Sequence, residues 1–202
     1  MSRKIRFIGV YDYTVILTYL SLLFAVLGMI CACRDRFTAA VLCLFSAGVC
    51  DAFDGIVART KKNRTEDEKA FGIQLDSLCD VISFGFFPAF MCYHMGVDTI
   101  VGIVIMFLYC LCAVARLAFF NVLEGKRQQT ETGAAKTYRG LPVTSISLVF
   151  PVVYLLRFVL TPALFSYSLH VLLLVVALLF VLDISVPKLD WMKILFGKKS
   201  HT

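Results

Sequence analysis

The chain has 202 residues, of which 59% are hydrophobic and only 17% charged, and its mean hydropathy is +0.82. A soluble domain of similar size is about 45–50% apolar and about 25% charged, so an ordinary soluble globule is excluded and a membrane is implied. The formal net charge of +6 suits contact with anionic membrane lipids. No base-reading machinery accompanies it, so no nucleic-acid partner is expected.

A membrane-crossing helix needs about 20 apolar residues. Six such segments are read in chain order: Tyr13–Cys33, Phe37–Ala58, Gly72–His94, Thr99–Leu123, Pro142–Leu160 and Ala163–Val186. The first follows Arg3, Lys4 and Arg6 as a signal peptide would, but it is long and lacks a small-residue cleavage pattern, so a retained helix is expected. Five prolines and twelve glycines leave no room for a flexible linker, and no repeat is visible. The fold class is therefore an all-α polytopic membrane protein, with residues 1–202 forming one membrane domain.

Basic residues orient it. Sixteen of the 20 lysines and arginines lie before the first segment, between the second and third, between the fourth and fifth, or after the sixth. The opposite loops hold only Arg34, Arg36 and Arg157. Positive charge stays in the cytoplasm, which places both termini on that side of the cell membrane.

Four aspartates mark that same side, in the pattern Asp51-x2-Asp54-Gly55-x2-Ala58-Arg59 and then Gly72-x3-Asp76-x3-Asp80. At about 3.6 residues per turn, the members of each half share one helix face. The two helices are joined by a short polar loop and must run antiparallel, so the acids face one another. A carboxylate beside hydrocarbon costs roughly 2.5–3.5 kcal/mol on insertion scales, and divalent cations are the obvious compensation. Hard oxygen ligands select Mg²⁺ or Mn²⁺, and two ions about 4 Å apart would clamp a pyrophosphate. Gly55, Ala58 and Gly72 leave room for a nucleotide, and Arg59 suits a phosphate. The bland alternative, a pair of solvated helix-end carboxylates, does not account for four acids, three small residues and an arginine together. Eight cysteines form no CxxC pair and none neighbours a histidine at a zinc-like spacing, so they are read as small buried hydrophobes.

At these residues the chain resembles the CDP-alcohol phosphotransferase family, whose motif is D-x2-D-G-x2-A-R-x8-G-x3-D-x3-D. Every specified residue is present. The one departure is the stretch Thr60–Phe71, twelve residues where the family usually has eight. The resemblance implies a six-helix fold, usually a homodimer, that cleaves a CDP-linked lipid and passes its phosphatidyl group to an alcohol. It further implies Asp51, Asp54 and Asp76 as metal ligands, Asp80 as ligand and catalytic base, and Asp51, Gly55, Arg59 and Gly72 as binders of the CDP-lipid.

The segment from Asp76 to Ala89 looks like the "DSL-x-D-x-x-SFG-x-x-PA" stretch of the family's serine-using bacterial branch. So do Ala115 to Asn121 and the Gly140-Leu141-Pro142 entry to the fifth segment. The acceptor expected from this resemblance is L-serine, with CDP-diacylglycerol as donor. Serine carries a carboxylate that inositol and glycerol lack. An arginine within an apolar span usually faces a partner or a wet cavity, so Arg116, with Asn121, is the candidate serine-binding pair. Competing readings are a relative that uses glycerol phosphate or inositol phosphate, which calls for several acceptor-side cations, and a divalent-cation transporter. A transporter would place its acids near mid-bilayer with broken helices or repeats; here they cluster at one face.

Overall fold

The computed structural model describes residues 9, 13–58, 60–61, 65–130, 137–139, 141–183 and 185–187. Its helices are α1 (Tyr13–Cys33), α2 (Phe37–Ala58), α3 (Glu66–His94), α4 (Ile100–Thr130), α5 (Val143–Phe158) and α6 (Pro162–Val181). Five of them are long and apolar enough to cross a membrane; α5 is shorter. The fifth expected segment thus becomes a short helix, because Pro151 removes a backbone donor from its middle and its first and last turns tighten to 3₁₀ geometry. The sixth stops at Val181 rather than Val186. Leu182 leaves helical geometry, and Ser185–Pro187 (β2) pairs antiparallel with Thr137–Arg139 (β1), Tyr138 opposite Val186.

Small side chains bring the helices together. On α1, Thr14, Thr18, Ser21, Ala25, Gly28 and Ala32 recur every three or four residues, and all are buried. That stripe lets backbones approach closely, the usual basis of helix association in membranes. A Cβ on Gly28 would collide with the ring of Phe87 in α3, and one on Gly48 of α2 with the hydroxyl of Ser147 in α5. Between α1 and α2 the chain reverses in three residues. Asp35 adopts φ 55°, and the N–H groups of Arg34 and Arg36 both donate to Cys31 O, at 3.1 and 2.9 Å. The outward faces are apolar too: Ile100 is 83% exposed and Phe158 74%, as expected of surfaces meeting lipid rather than water. The chain is an integral membrane protein.

The third helix departs most from expectation. It begins at Glu66, six residues before Gly72. Thr65 accepts from Glu68 N at 3.2 Å while the Glu68 carboxylate accepts from Thr65 N at 3.0 Å. This reciprocal cap, with Glu66, Asp67 and Glu68 at the positive end of the helix dipole, turns most of the extra loop residues into an added helical turn. Lower down, Val81–Phe86 widens into a π turn. Pro88 cannot donate to the carbonyl of Phe84 one turn back, and Tyr109 of α4 supplies that hydrogen bond instead, its hydroxyl donating at 2.6 Å.

Candidate metal centre

The four motif acids do converge. Carboxylate oxygens of Asp51, at the end of α2, and of Asp76 and Asp80, in α3, lie within 4.8 Å of one another. Asp54, one turn beyond Asp51, completes the group: its side chain meets that of Asp76, and Asp51 meets Asp80. Asp80 is deepest, at 7% exposure; the other three are partly open.

Like charges at such separations repel by a few kcal/mol per pair at an effective dielectric near 20. Among the described residues no ion pair is formed to Asp51, Asp76 or Asp80. One oxygen of Asp76, Oδ1, is buried and accepts no hydrogen bond, an expensive state for a carboxylate unless a cation fills it. A purely oxygen donor set with an orphaned buried oxygen fits Mg²⁺ or Mn²⁺.

The surroundings hold these acids in place. Thr18 of α1 donates from Oγ1 to Asp54 Oδ2 at 3.2 Å. In α3, the Ser77 hydroxyl beside Asp76 donates to Asn121 Oδ1 at 2.7 Å, and Asn121 Nδ2 donates to Gln74 Oε1 at 3.4 Å. Asn121 is therefore engaged with α3. It does not share a face with Arg116: five residues apart on one helix, the two stand about 140° from each other. Arg116 is half-buried on α4. A Cβ at Gly55 would meet nothing within 4 Å, so the backbone beside the acids faces open space. Gly72 lies within α3, partly buried. Arg59 lies outside the described residues, as do Gly140 and the tail after Pro187.

Thr18, Ser77 and Gln74 escaped the sequence reading. The signal for Thr18 was present: hydroxyl residues at 14, 18 and 21 continue the small-residue stripe of an otherwise apolar helix, on its buried face and toward the acidic end. Ser77 is the Ser of the Asp76–Ala89 stretch, though nothing there points to Asn121, and Gln74 carries no pattern of its own.

The fold and this cluster together define a helical membrane protein with an acidic centre suited to divalent cations at one membrane face. Residues 13–183 match the CDP-alcohol phosphatidyltransferase family, and the chain belongs to it. That family is generally dependent on divalent metal. Similar curated proteins include the archaetidylserine synthase of Methanothermobacter thermautotrophicus, 33% identical over 175 residues, or 86% of this chain and 66% of that protein. The CDP-diacylglycerol–serine O-phosphatidyltransferase of Saccharomyces cerevisiae is 39% identical over 113 residues, covering 54% of this chain and 40% of the yeast protein. The protein of the same name from Methanocaldococcus jannaschii is 29% identical over 171 residues, 84% of this chain and 72% of that one. The chain thus spans less than two thirds of the yeast and Methanothermobacter relatives. No solved structure matches it.

Proposed function

We propose that the protein transfers the phosphatidyl group of CDP-diacylglycerol to L-serine, giving phosphatidylserine and CMP. The convergence of Asp51, Asp54, Asp76 and Asp80 beside the open backbone of Gly55 carries this reading. The relatives whose names specify serine supply the acceptor.

Asp51, Asp54, Asp76 and Asp80 would hold two Mg²⁺ or Mn²⁺ ions, whose chemistry is to neutralise the pyrophosphate and the charge that develops on it. Thr18 and the Ser77–Asn121–Gln74 chain keep the ligands aimed. Gly55 and Gly72 admit the nucleotide, and Arg59 pairs with phosphate. Asp80, the most enclosed acid, takes the proton of the serine hydroxyl. The serine oxygen then forms a bond to the lipid-side phosphorus, the P–O bond to the nucleotide breaks, and CMP leaves with the electron pair. The donor is already activated, so positioning and charge neutralisation account for most of the catalysis. Arg116 supplies the cation for the serine carboxylate, while Asn121 acts through α3.

The fold supports six crossings even though α5 is short. The N–H of Leu141 meets Leu179 O near the end of α6, while Arg157 stacks on Phe37 at the start of α2, so α5 connects the two faces. Its 3₁₀ turns rise about 2.0 Å per residue, which stretches it to about 27 Å, close to the ~30 Å hydrocarbon thickness. The basic loops favour the cytoplasmic face of the cell membrane for the aspartates, and a homodimer is proposed from the motif resemblance.

An acceptor panel tests the assignment: purified protein, CDP-diacylglycerol, Mg²⁺ or Mn²⁺, and serine, glycerol phosphate, inositol phosphate or inositol, followed by CMP release. Serine alone should drive rapid release. Faster release with a phosphorylated acceptor would replace the serine assignment with that acceptor.

A further inference from the structure

A second polar feature lies at the opposite ends of the same helices. The first residue of α2 (Phe37), the last of α3 (His94), the end of α5 (Arg157) and the start of α6 (Pro162, Phe165) enclose a cleft of about 260 Å³, with Met95 and Leu160 also in its wall. It is separated from the aspartates by the length of α2 between Phe37 and Asp51, about 21 Å.

Arg157 is its one fixed charge, and it is braced rather than neutralised. The guanidinium lies 5.0 Å from the centre of the Phe37 ring and 5.8 Å from that of Tyr154. Its Nη1 donates to the Tyr154 hydroxyl at 3.1 Å, and that hydroxyl is also 3.0 Å from Thr38 Oγ1. A guanidinium carries five N–H donors. Arg157 is exposed and among the described residues makes no ion pair to a carboxylate, so within that set most of its donors stay open to water or a ligand. Aromatic faces hold the plane of the group without consuming the edge that binds oxyanions.

We propose that this cleft binds the phosphate of a phospholipid headgroup in the leaflet facing away from the aspartates, with Arg157 as its cation. Depth favours this occupant: helix ends at a membrane face lie where headgroup phosphates lie. So do the walls. Phe37, Met95, Leu160 and Phe165 offer nothing to a free anion but suit the glycerol and first methylenes of a lipid, and Phe158 and Val159 beside them are 74% and 83% exposed. The volume is below the roughly 300–1,000 Å³ of a drug-sized ligand site, as befits one headgroup whose chains remain in the bilayer. Planar two-point binding of phosphate is what arginine does better than lysine.

The test is lipid retention by the full chain in detergent, read by native mass spectrometry. The added lipid is phosphatidylglycerol, with a diacylglycerol of the same chains as control and inorganic phosphate as competitor. Arg157→Gln should lower phosphatidylglycerol retention at least tenfold, Arg157→Lys should lower it less, and neither should change CMP release from CDP-diacylglycerol. Diacylglycerol should be held no better by wild type than by the variants. Should Arg157→Gln fail to fold, Leu160→Trp, which fills the cleft and keeps the guanidinium, must produce the same loss. Unchanged retention in whichever of these two variants folds overturns the proposal, and so does displacement of the lipid by millimolar inorganic phosphate, which would make the ligand a free anion.

Discussion

The two ends of the helix bundle handle charge in opposite ways. At one, four carboxylates are crowded together and oriented by neutral groups, the Thr18 hydroxyl on Asp54 and the Ser77–Asn121 pair beside Asp76. At the other, a guanidinium stands alone among described acids and is oriented by two rings and a tyrosine hydroxyl. In both places the protein fixes the geometry of charged groups, Asp51, Asp76 and Asp80 at one end and Arg157 at the other, that make no ion pair among the described residues. Structural ion pairs do the reverse, as Lys61 of the loop and Glu68 of α3 show at 3.1 Å. A charge held in place but unpaired is the mark of a binding site.

The comparison breaks if the acidic end works without cations. Chelation should abolish CMP release, and Mg²⁺ or Mn²⁺ should restore it; turnover in excess chelator would remove the metal centre. Asp80→Asn cannot take the serine proton and should lower kcat about 10³-fold, with CDP-diacylglycerol binding nearly preserved and lipid retention at Arg157 untouched. Steady-state kinetics separates these effects.

Arg116→Lys tests the acceptor side of the acidic end. Replacing a planar fork by a point charge should raise KM for serine roughly 10–30-fold and leave KM for CDP-diacylglycerol almost unchanged. A change confined to the lipid substrate would move Arg116 to the phosphate site.

Gly55→Leu puts a side chain into open space, so the protein should fold with an unaltered melting temperature. KM for CDP-diacylglycerol should nevertheless rise about tenfold, since the nucleotide's approach is obstructed. The smallest effect is expected for Thr18→Val, which keeps shape and removes the bond to Asp54. Loss of about 1 kcal/mol corresponds to about fivefold weaker Mn²⁺ binding, measurable by electron paramagnetic resonance titration without any turnover. An unchanged Mn²⁺ affinity would reduce Thr18 to a packing residue.

The acidic centre was legible because helical periodicity acts on nearest neighbours: Asp51 with Asp54, and Asp76 with Asp80, are each placed about one turn apart, and a short loop forces the two helices together. The start of α3 was misplaced at Gly72 because membrane periodicity begins there, while the Thr65–Glu68 cap that starts the helix lies in the polar loop. The Ala115–Asn121 stretch offers Arg116 and Asn121 as a pair but does not reveal that Asn121 stands about 140° from Arg116 and bonds to α3. Thr18 was hidden because a single hydroxyl on an apolar helix has meaning only once the partner helix is known. For Pro142–Leu160, composition gives an apolar segment of spanning length but does not reveal the 3₁₀ ends of α5.

The π turn below Asp80 has one more effect. Adding a residue to a helical turn rotates everything beyond it by about 100°. Above the turn, α3 points Asp76 and Asp80 at α2; below it, the ring of Phe87 fits against Gly28 of α1. A regular helix would instead carry Phe87 round to a different face from the one that meets Gly28. The π turn acts as a phase shifter, with Pro88 imposing it and Tyr109 locking it. The acids thereby face α2 while the membrane-buried half of the same helix packs against α1.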